Sequence, residues 1–264
     1  MAEAAGLAVG ITALAGHFNN AVDCFEYVQL GRNFGKDFQT SQLKLDTTRL
    51  RLSRWGKSLG LSGITQDVQS LQQSSGSVEN VNQAEALLGQ ILELFVDAED
   101  VSEGYKSRKN AGDPSLAVYD SQTDLGPAMA TLHERMRQLA IERQNRTSLR
   151  RKAKWALYGH KQFRRLTEDV NELVDGLVEL FPATKPIQQG LCETEVSLIS
   201  TNKSLPVLRE IAAEQDKFLE AALKIAASNA EGTHNAVFSG ANNSGFQLGH
   251  NSGSISGFTF KKNS

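Results

Sequence analysis

Residues 81–98, VNQAEALLGQILELFVDA, decide the fold class. Val81, Ala84, Leu88, Ile91, Phe95 and Ala98 recur at steps of three and four, and 3.6 residues per turn put all six on one stripe of an α-helix. Upstream, beyond a polar loop around SSGS (74–77), Phe38, Leu45 and Leu52 recur every seven residues up to Trp55, with Lys44, Arg49 and Arg54 on other faces. That pattern predicts an amphipathic helix, entered after a break at GRNFGKD (31–37).

Downstream, residues 104–127 carry Gly, Pro and Asp at turn-like spacing and read as a long loop; helix resumes near Ala128 and runs towards Arg143. Val170, Leu173, Val174 and Leu177 form the apolar face of a helix from about Thr167 to Leu180, stopped by Pro182. Two further helices follow, at about 190–203 and 206–227, carrying Leu191, Val196 and Ile199, then Leu208, Ile211, Phe218 and Leu219. No strand pattern competes before residue 228, so residues 1–228 are expected to form an all-α helical bundle.

The chain has 264 residues, 40% hydrophobic and 22% charged, with a net charge of −2 that argues against general affinity for nucleic acid. Cys24 and Cys192 lie far apart and fit neither a disulfide framework nor a metal site; both read as buried small apolar side chains in a reducing compartment. Glu3 and the lack of Lys or Arg before the first apolar stretch leave no charged n-region of a secretory signal, so a cytoplasmic location is expected at rest.

That first stretch, Ala4 to Val22, is nineteen residues without a formal charge, AAGLAVGITALAGHFNNAV. It approaches the ~20 residues that span a bilayer, yet His17, Asn19, Asn20 and its small residues make it too weak for a constitutive span. Either it is a small-residue helix packed closely in a core, or it is stored in a soluble fold and released into lipid later. Gly6 and Gly10 have the spacing that lets two helices approach closely in a membrane. A second candidate surface lies between Arg143 and Arg165, where nine Lys or Arg occur with no acid, interleaved with Leu149, Trp155, Tyr158 and Phe163. It is a solvated face or a surface for anionic lipid headgroups, with Arg150, Arg151, Lys152 and Lys154 as the contacts.

Residues 229–264 are a different material: six Gly, six Asn and six Ser in 36 positions cannot bury a core, and the tail is expected to be disordered in the monomer. NSGFQLGHN (243–251) is nearly palindromic about Gln247, with Phe246 and Leu248 beside it, then Gly245 and Gly249, and Asn243 and Asn251 outermost. In cross-β stacking each residue meets its own copy, so amides form ladders, apolar side chains zip and glycines permit tight bends. The tail is therefore expected to convert to amyloid. Phe258, Thr259 and Phe260 offer a second alternating element.

Residues 18–56, FNNAVDCFEYVQLGRNFGKDFQTSQLKLDTTRLRLSRWG, resemble the start of the HeLo domain of the fungal HET-S/HET-s incompatibility proteins, and 155–182 and 191–200 are also similar to that family. The resemblance implies an α-helical cell-death domain used in fungal non-self recognition. In that family the N-terminal apolar segment leaves the fold and inserts into the plasma membrane, which maps here to Leu7, Val9, Ile11, Leu14 and Phe18. The tail lacks the paired long repeats of the HET-s β-solenoid. It resembles instead the pseudo-palindromic PP motif related to the animal RHIM, whose core falls on Asn243, Gly245, Phe246, Gln247, Leu248, Gly249 and Asn251. The partners so implied are further copies of the chain, an NLR-type receptor carrying a matching motif, and anionic membrane lipids.

No cofactor is expected and no enzyme: H-E-x-x-H, G-x-G-x-x-G and C-x-x-C are absent from the sequence. Gly56, Lys57 and Ser58 echo the end of a phosphate-binding loop, but Arg51 stands where its first glycine belongs. Two functions remain, a membrane-permeabilising executor and a non-lytic adaptor or inhibitor that shares the amyloid signal.

Overall fold

The computed structural model describes residues 2–62, 77–110, 112–144, 153–201 and 203–232, with side chains from residue 10 to residue 229. Eight α-helices account for most of them: α1 (Ala2–Tyr27), α2 (Phe38–Ser58), α3 (Val78–Lys106), α4 (Pro127–Glu142), α5 (His160–Leu180), α6 (Lys185–Ile199), α7 (Leu205–Gln215) and α8 (Lys217–Gly232). The chain divides into two units, residues 1–223 and 224–264, and the core described below belongs to the first.

Local chemistry sets the helix ends. Ser77 caps α3 by accepting the backbone N–H of Asn80 at 3.2 Å. Proline occupies the first turn of α4, α6 and α7, where its missing N–H costs nothing, and Pro182 follows the end of α5. The α3 stripe faces inward as its spacing predicts: Val81, Ala84, Leu88, Ile91 and Phe95 are buried. Helix α5 begins at His160, earlier than its apolar face suggested, because Phe163 and Leu166 extend that face by two turns.

Helix α2 runs through the centre of the unit, in contact with α1, α4, α5, α6 and α7, while α1 and α5 pack on α3. It is therefore buried on nearly every side, Arg49 and Arg54 included, rather than amphipathic with its bases towards solvent. The second departure from the sequence reading is a pair of three-residue strands, β1 (Val28–Leu30) and β2 (Trp155–Leu157), which run parallel with Val28 opposite Trp155. Three residues carry no alternation that a sequence could display. The pair is completed by Ser102, whose hydroxyl donates to the Ala156 carbonyl at 2.6 Å, and by Gly31, where a Cβ would sit 2.7 Å from Cδ1 of Tyr158. The aromatic residues of the basic stretch, Trp155, Tyr158 and Phe163, are core residues here, and they present no surface to lipid in this state.

Candidate functional site: the N-terminal helix in its cradle

Every described apolar residue proposed for insertion is hidden. Ile11, Leu14 and Phe18 are at most 1% exposed, and Ala15, Ala21 and Val22 complete the buried stripe of α1. Leu7 and Val9 lie on the same helix, their side chains outside the described set, and Gly10 comes so close to α3 that a Cβ would lie 3.2 Å from Cγ1 of Val81. Burying one such large side chain contributes about 1.5–3 kcal/mol, so α1 leaves the bundle only if another environment covers the same surface. Among the described residues no helix is long and apolar enough to cross a membrane.

Phe18 is the plug of this arrangement. Its ring lies 6.2 Å from that of Trp55, which leans on Phe181 at 6.1 Å and donates its indole N–H to the Leu177 carbonyl at 3.0 Å. The space for Phe18 exists because residue 56 is glycine: a Cβ there would lie 2.7 Å from Phe18 Cδ2 and closer still to two other ring atoms. Gly56 was thus legible only as an isolated glycine inside a helical pattern, the signal of a close approach, and its neighbours Lys57 and Ser58 form no phosphate loop but the last turn of α2.

The C-terminal end of α1 is held by polar bonds that spacing does not reveal. The Glu26 carboxylate accepts from Arg49 Nη1 of α2 and from Arg137 Nε and Nη2 of α4, the latter at 3.0 and 2.9 Å. Burial raises the Glu26 pKa, but the two guanidinium groups outweigh it and hold the carboxyl below its ordinary range. Gln144 adds a bond to the Asn19 carbonyl at 3.2 Å and one to Asp23 at 2.6 Å. A shape-matched plug in the middle and charge-assisted bonds at one end make α1 a helix stored under constraint.

Near this end His133 of α4 meets Asp46 of α2, Nδ1 to Oδ2, at 2.7 Å. Burial lowers the imidazole pKa, yet Asp46 more than compensates and raises it above 6.5. A raised folded-state pKa means that this contribution is complete below about pH 6.5 and is lost as pH rises through the higher folded value. We expect the melting temperature to fall across that interval in wild type, and expect His133→Asn to remove that slope; equal slopes in a pH series of thermal melts would show that the pair carries none of it.

The remaining site residues divide. Lys154 is exposed, just before β2; Arg150, Arg151, Lys152 and all seven motif positions from Asn243 to Asn251 fall outside the described residues. Both cysteines are buried and neither forms a disulfide, and burial pushes the Cys192 thiol far above its usual range. Among the described residues no three His, Cys, Asp or Glu are grouped as a metal site.

The pattern of the HeLo family, described as prion-inhibition and propagation, matches residues 6–208, and that of the SesB domain on fungal death-pathway protein matches residues 230–257. Heterokaryon incompatibility protein s of Podospora anserina is 36% identical over 212 residues, 80% of this chain and 71% of that protein; incompatibility protein S of the same fungus is 35% identical over the same shares. The solved HET-s N-terminal domain superimposes with a TM-score of 0.71 at 32% identity, covering 83% of this chain and 98% of that one. A mutant form of it gives a TM-score of 0.72 at 34% identity, covering 81% and 98%. Agreement in sequence and in helix packing over four fifths of its length makes this chain a member of the HeLo family.

Proposed function

We propose that this chain is a cell-death effector of fungal non-self recognition, in which amyloid templating of the tail releases α1 from its cradle. The observation that carries the reading is the burial of α1: an uncharged stripe, Ile11, Leu14 and Phe18, is kept from solvent by a glycine-made hole rather than displayed. The kinship with incompatibility proteins s and S, and the SesB match over the tail, support the same role. At rest the chain is cytoplasmic. An NLR-type receptor bearing a matching motif templates the stretch around Gln247, further copies join, and the assembled helical domains expose Leu7 to Phe18, bind anionic lipid and permeabilise the plasma membrane. The templated segment starts close in sequence to the bundle, because the SesB match begins at residue 230 and Leu219, Ala222 and Leu223 are buried core residues.

The test mixes the full chain with preformed fibres of residues 229–264 and dye-filled anionic liposomes. Charging α1 at Ile11 would confound it, since Ile11 is wholly buried and the resting fold would suffer. Gly16 is the better position: it is exposed, and a side chain there meets nothing within 4 Å. Gly16→Glu is expected to keep a wild-type melt and to join seeded fibres, while leakage falls severalfold, since a charge in an inserting helix costs up to roughly 2.5–3.5 kcal/mol at its centre and less towards its ends. Gln247→Pro, which removes a ladder donor, is expected to block seeding and leakage together. Fibres without leakage from the wild-type chain would favour the non-lytic adaptor; full leakage from Gly16→Glu would acquit α1.

A further inference from the structure

Beside the Glu26 anchor lies a cavity of about 440 Å³, walled by the end of α1, β1, α2, the 118–122 loop, α4 and Lys154. Arg49 forms part of its wall and is only 4% exposed. Its Nη1 is taken by Glu26, whereas its Nε and Nη2 are buried without any hydrogen-bond partner. Those two N–H groups are the paired edge of a guanidinium, the edge that matches two oxygens of one oxyanion. Neighbouring protein atoms close both off from the cavity in this state, so an acceptor reaches the pair when the side chains of the wall turn aside.

The wall itself does not supply one. Glu26 is occupied by Arg49 Nη1 and Arg137, Asp46 by His133 and Gln42, Glu134 by Arg137, and Asp120 accepts the Gln122 backbone N–H at 2.9 Å. Lys154 on the same wall has no ion-pair partner among the described residues. The rest of the lining is largely polar, with Gln29, Gln42, Ser121 and Gln122. We propose that this cavity binds a phosphomonoester, two phosphate oxygens on the Nε and Nη2 of Arg49, a third on Lys154, and a hydroxyl-rich remainder against the amides. The phosphate group is the shared chemistry of two sources, a soluble metabolite and a lipid headgroup such as that of phosphatidic acid. The site stands apart from insertion by α1, because its occupancy is read on the resting chain.

The experiment titrates the full chain with inorganic phosphate and with glycerol 3-phosphate, reading heat of binding and melting temperature. Saturable binding with a rise in melting temperature is expected for glycerol 3-phosphate, and more weakly for phosphate. Arg49→Lys keeps a cation for Glu26 but presents no paired edge, and Lys154→Ala alters only an exposed side chain; each is expected to weaken binding roughly tenfold or more. A cosedimentation arm compares vesicles of phosphatidic acid with vesicles of phosphatidylserine at equal charge. A preference for phosphatidic acid that Lys154→Ala abolishes assigns the headgroup, and soluble binding without that preference assigns the metabolite. No saturable binding of either soluble probe, or wild-type affinity in Lys154→Ala and in a folded Arg49→Lys, overturns the proposal.

Discussion

Gly56→Ala is expected to unseat Phe18 and to give a chain that permeabilises liposomes without any seed. The added methyl would fall inside the contact distance of three ring atoms, and both partners are fixed, the one by the α2 backbone and the other by Trp55. The ring must therefore move. Overpacking of a tight core costs about 1–3 kcal/mol and the lost burial of Phe18 a similar amount, while alanine in place of glycine returns about 1 kcal/mol of helix propensity. The net loss of about 2–4 kcal/mol should lower the melting temperature by roughly 5–10 °C. Because α1 bears that loss, limited proteolysis should cut first within residues 10–22, and leakage should no longer depend on fibres. Phe18→Ala provides the internal control: alone it opens a cavity and destabilises, but combined with Gly56→Ala it removes the clash, so the double variant should melt well above the sum of the two single losses. Additive losses, or a Gly56→Ala melt equal to wild type, would mean that the ring is not held by this hole.

The parts of the molecule that were legible in its sequence are those whose cause is local. The inward stripe of α3, from Val81 to Phe95, follows from periodicity, and the end of α5 before Pro182 follows from a missing N–H. The apolar, uncharged character of residues 4–22 was equally plain, although both a core and a membrane are destinations that fit it. What stayed hidden depends on partners remote in sequence. Arg49 and Arg54 sit at positions that, on heptad spacing alone, belong to a solvent face; they are buried because Glu26, Glu195 and Asp216 come to meet them. The β1–β2 pair joins residues 28–30 to residues 155–157, and nothing within either triplet announces the other. The basic run from Arg143 to Arg165 misled for the opposite reason: read as one surface, it is divided by burial, with Arg143 bonded inside to Glu195 while Lys161, Arg164 and Arg165 remain exposed.

Arg54 is the residue on which the largest loss of stability is expected. It is wholly buried, binding Glu195 of α6 through Nε at 2.9 Å and Nη2 at 2.6 Å, and Asp216 through Nη1 at 3.1 Å. Arg143 donates to the same Glu195 at 2.5 Å, and Asp216 also caps α8 by accepting the Leu219 N–H at 3.1 Å. Burial opposes the charge of Arg54, but Asp216 and Glu195 hold its pKa well above the ordinary value, so the guanidinium keeps its charge. Removing one member of a buried ionic group leaves the others without compensation, at a cost of about 3–5 kcal/mol. Arg54→Met should therefore lower the melting temperature by roughly 10 °C. Asp216→Asn distinguishes charge from capping, because asparagine caps a helix about as well as aspartate. In the wild-type background it takes a partner from Arg54 and should destabilise. In the Arg54→Met background it neutralises a carboxylate that has just lost its cation and should stabilise. A reversal of sign between the two backgrounds is the signature of a compensated buried charge. If Asp216→Asn instead leaves stability unchanged in both, Asp216 serves α8 only as a cap and its charge adds nothing to the fold.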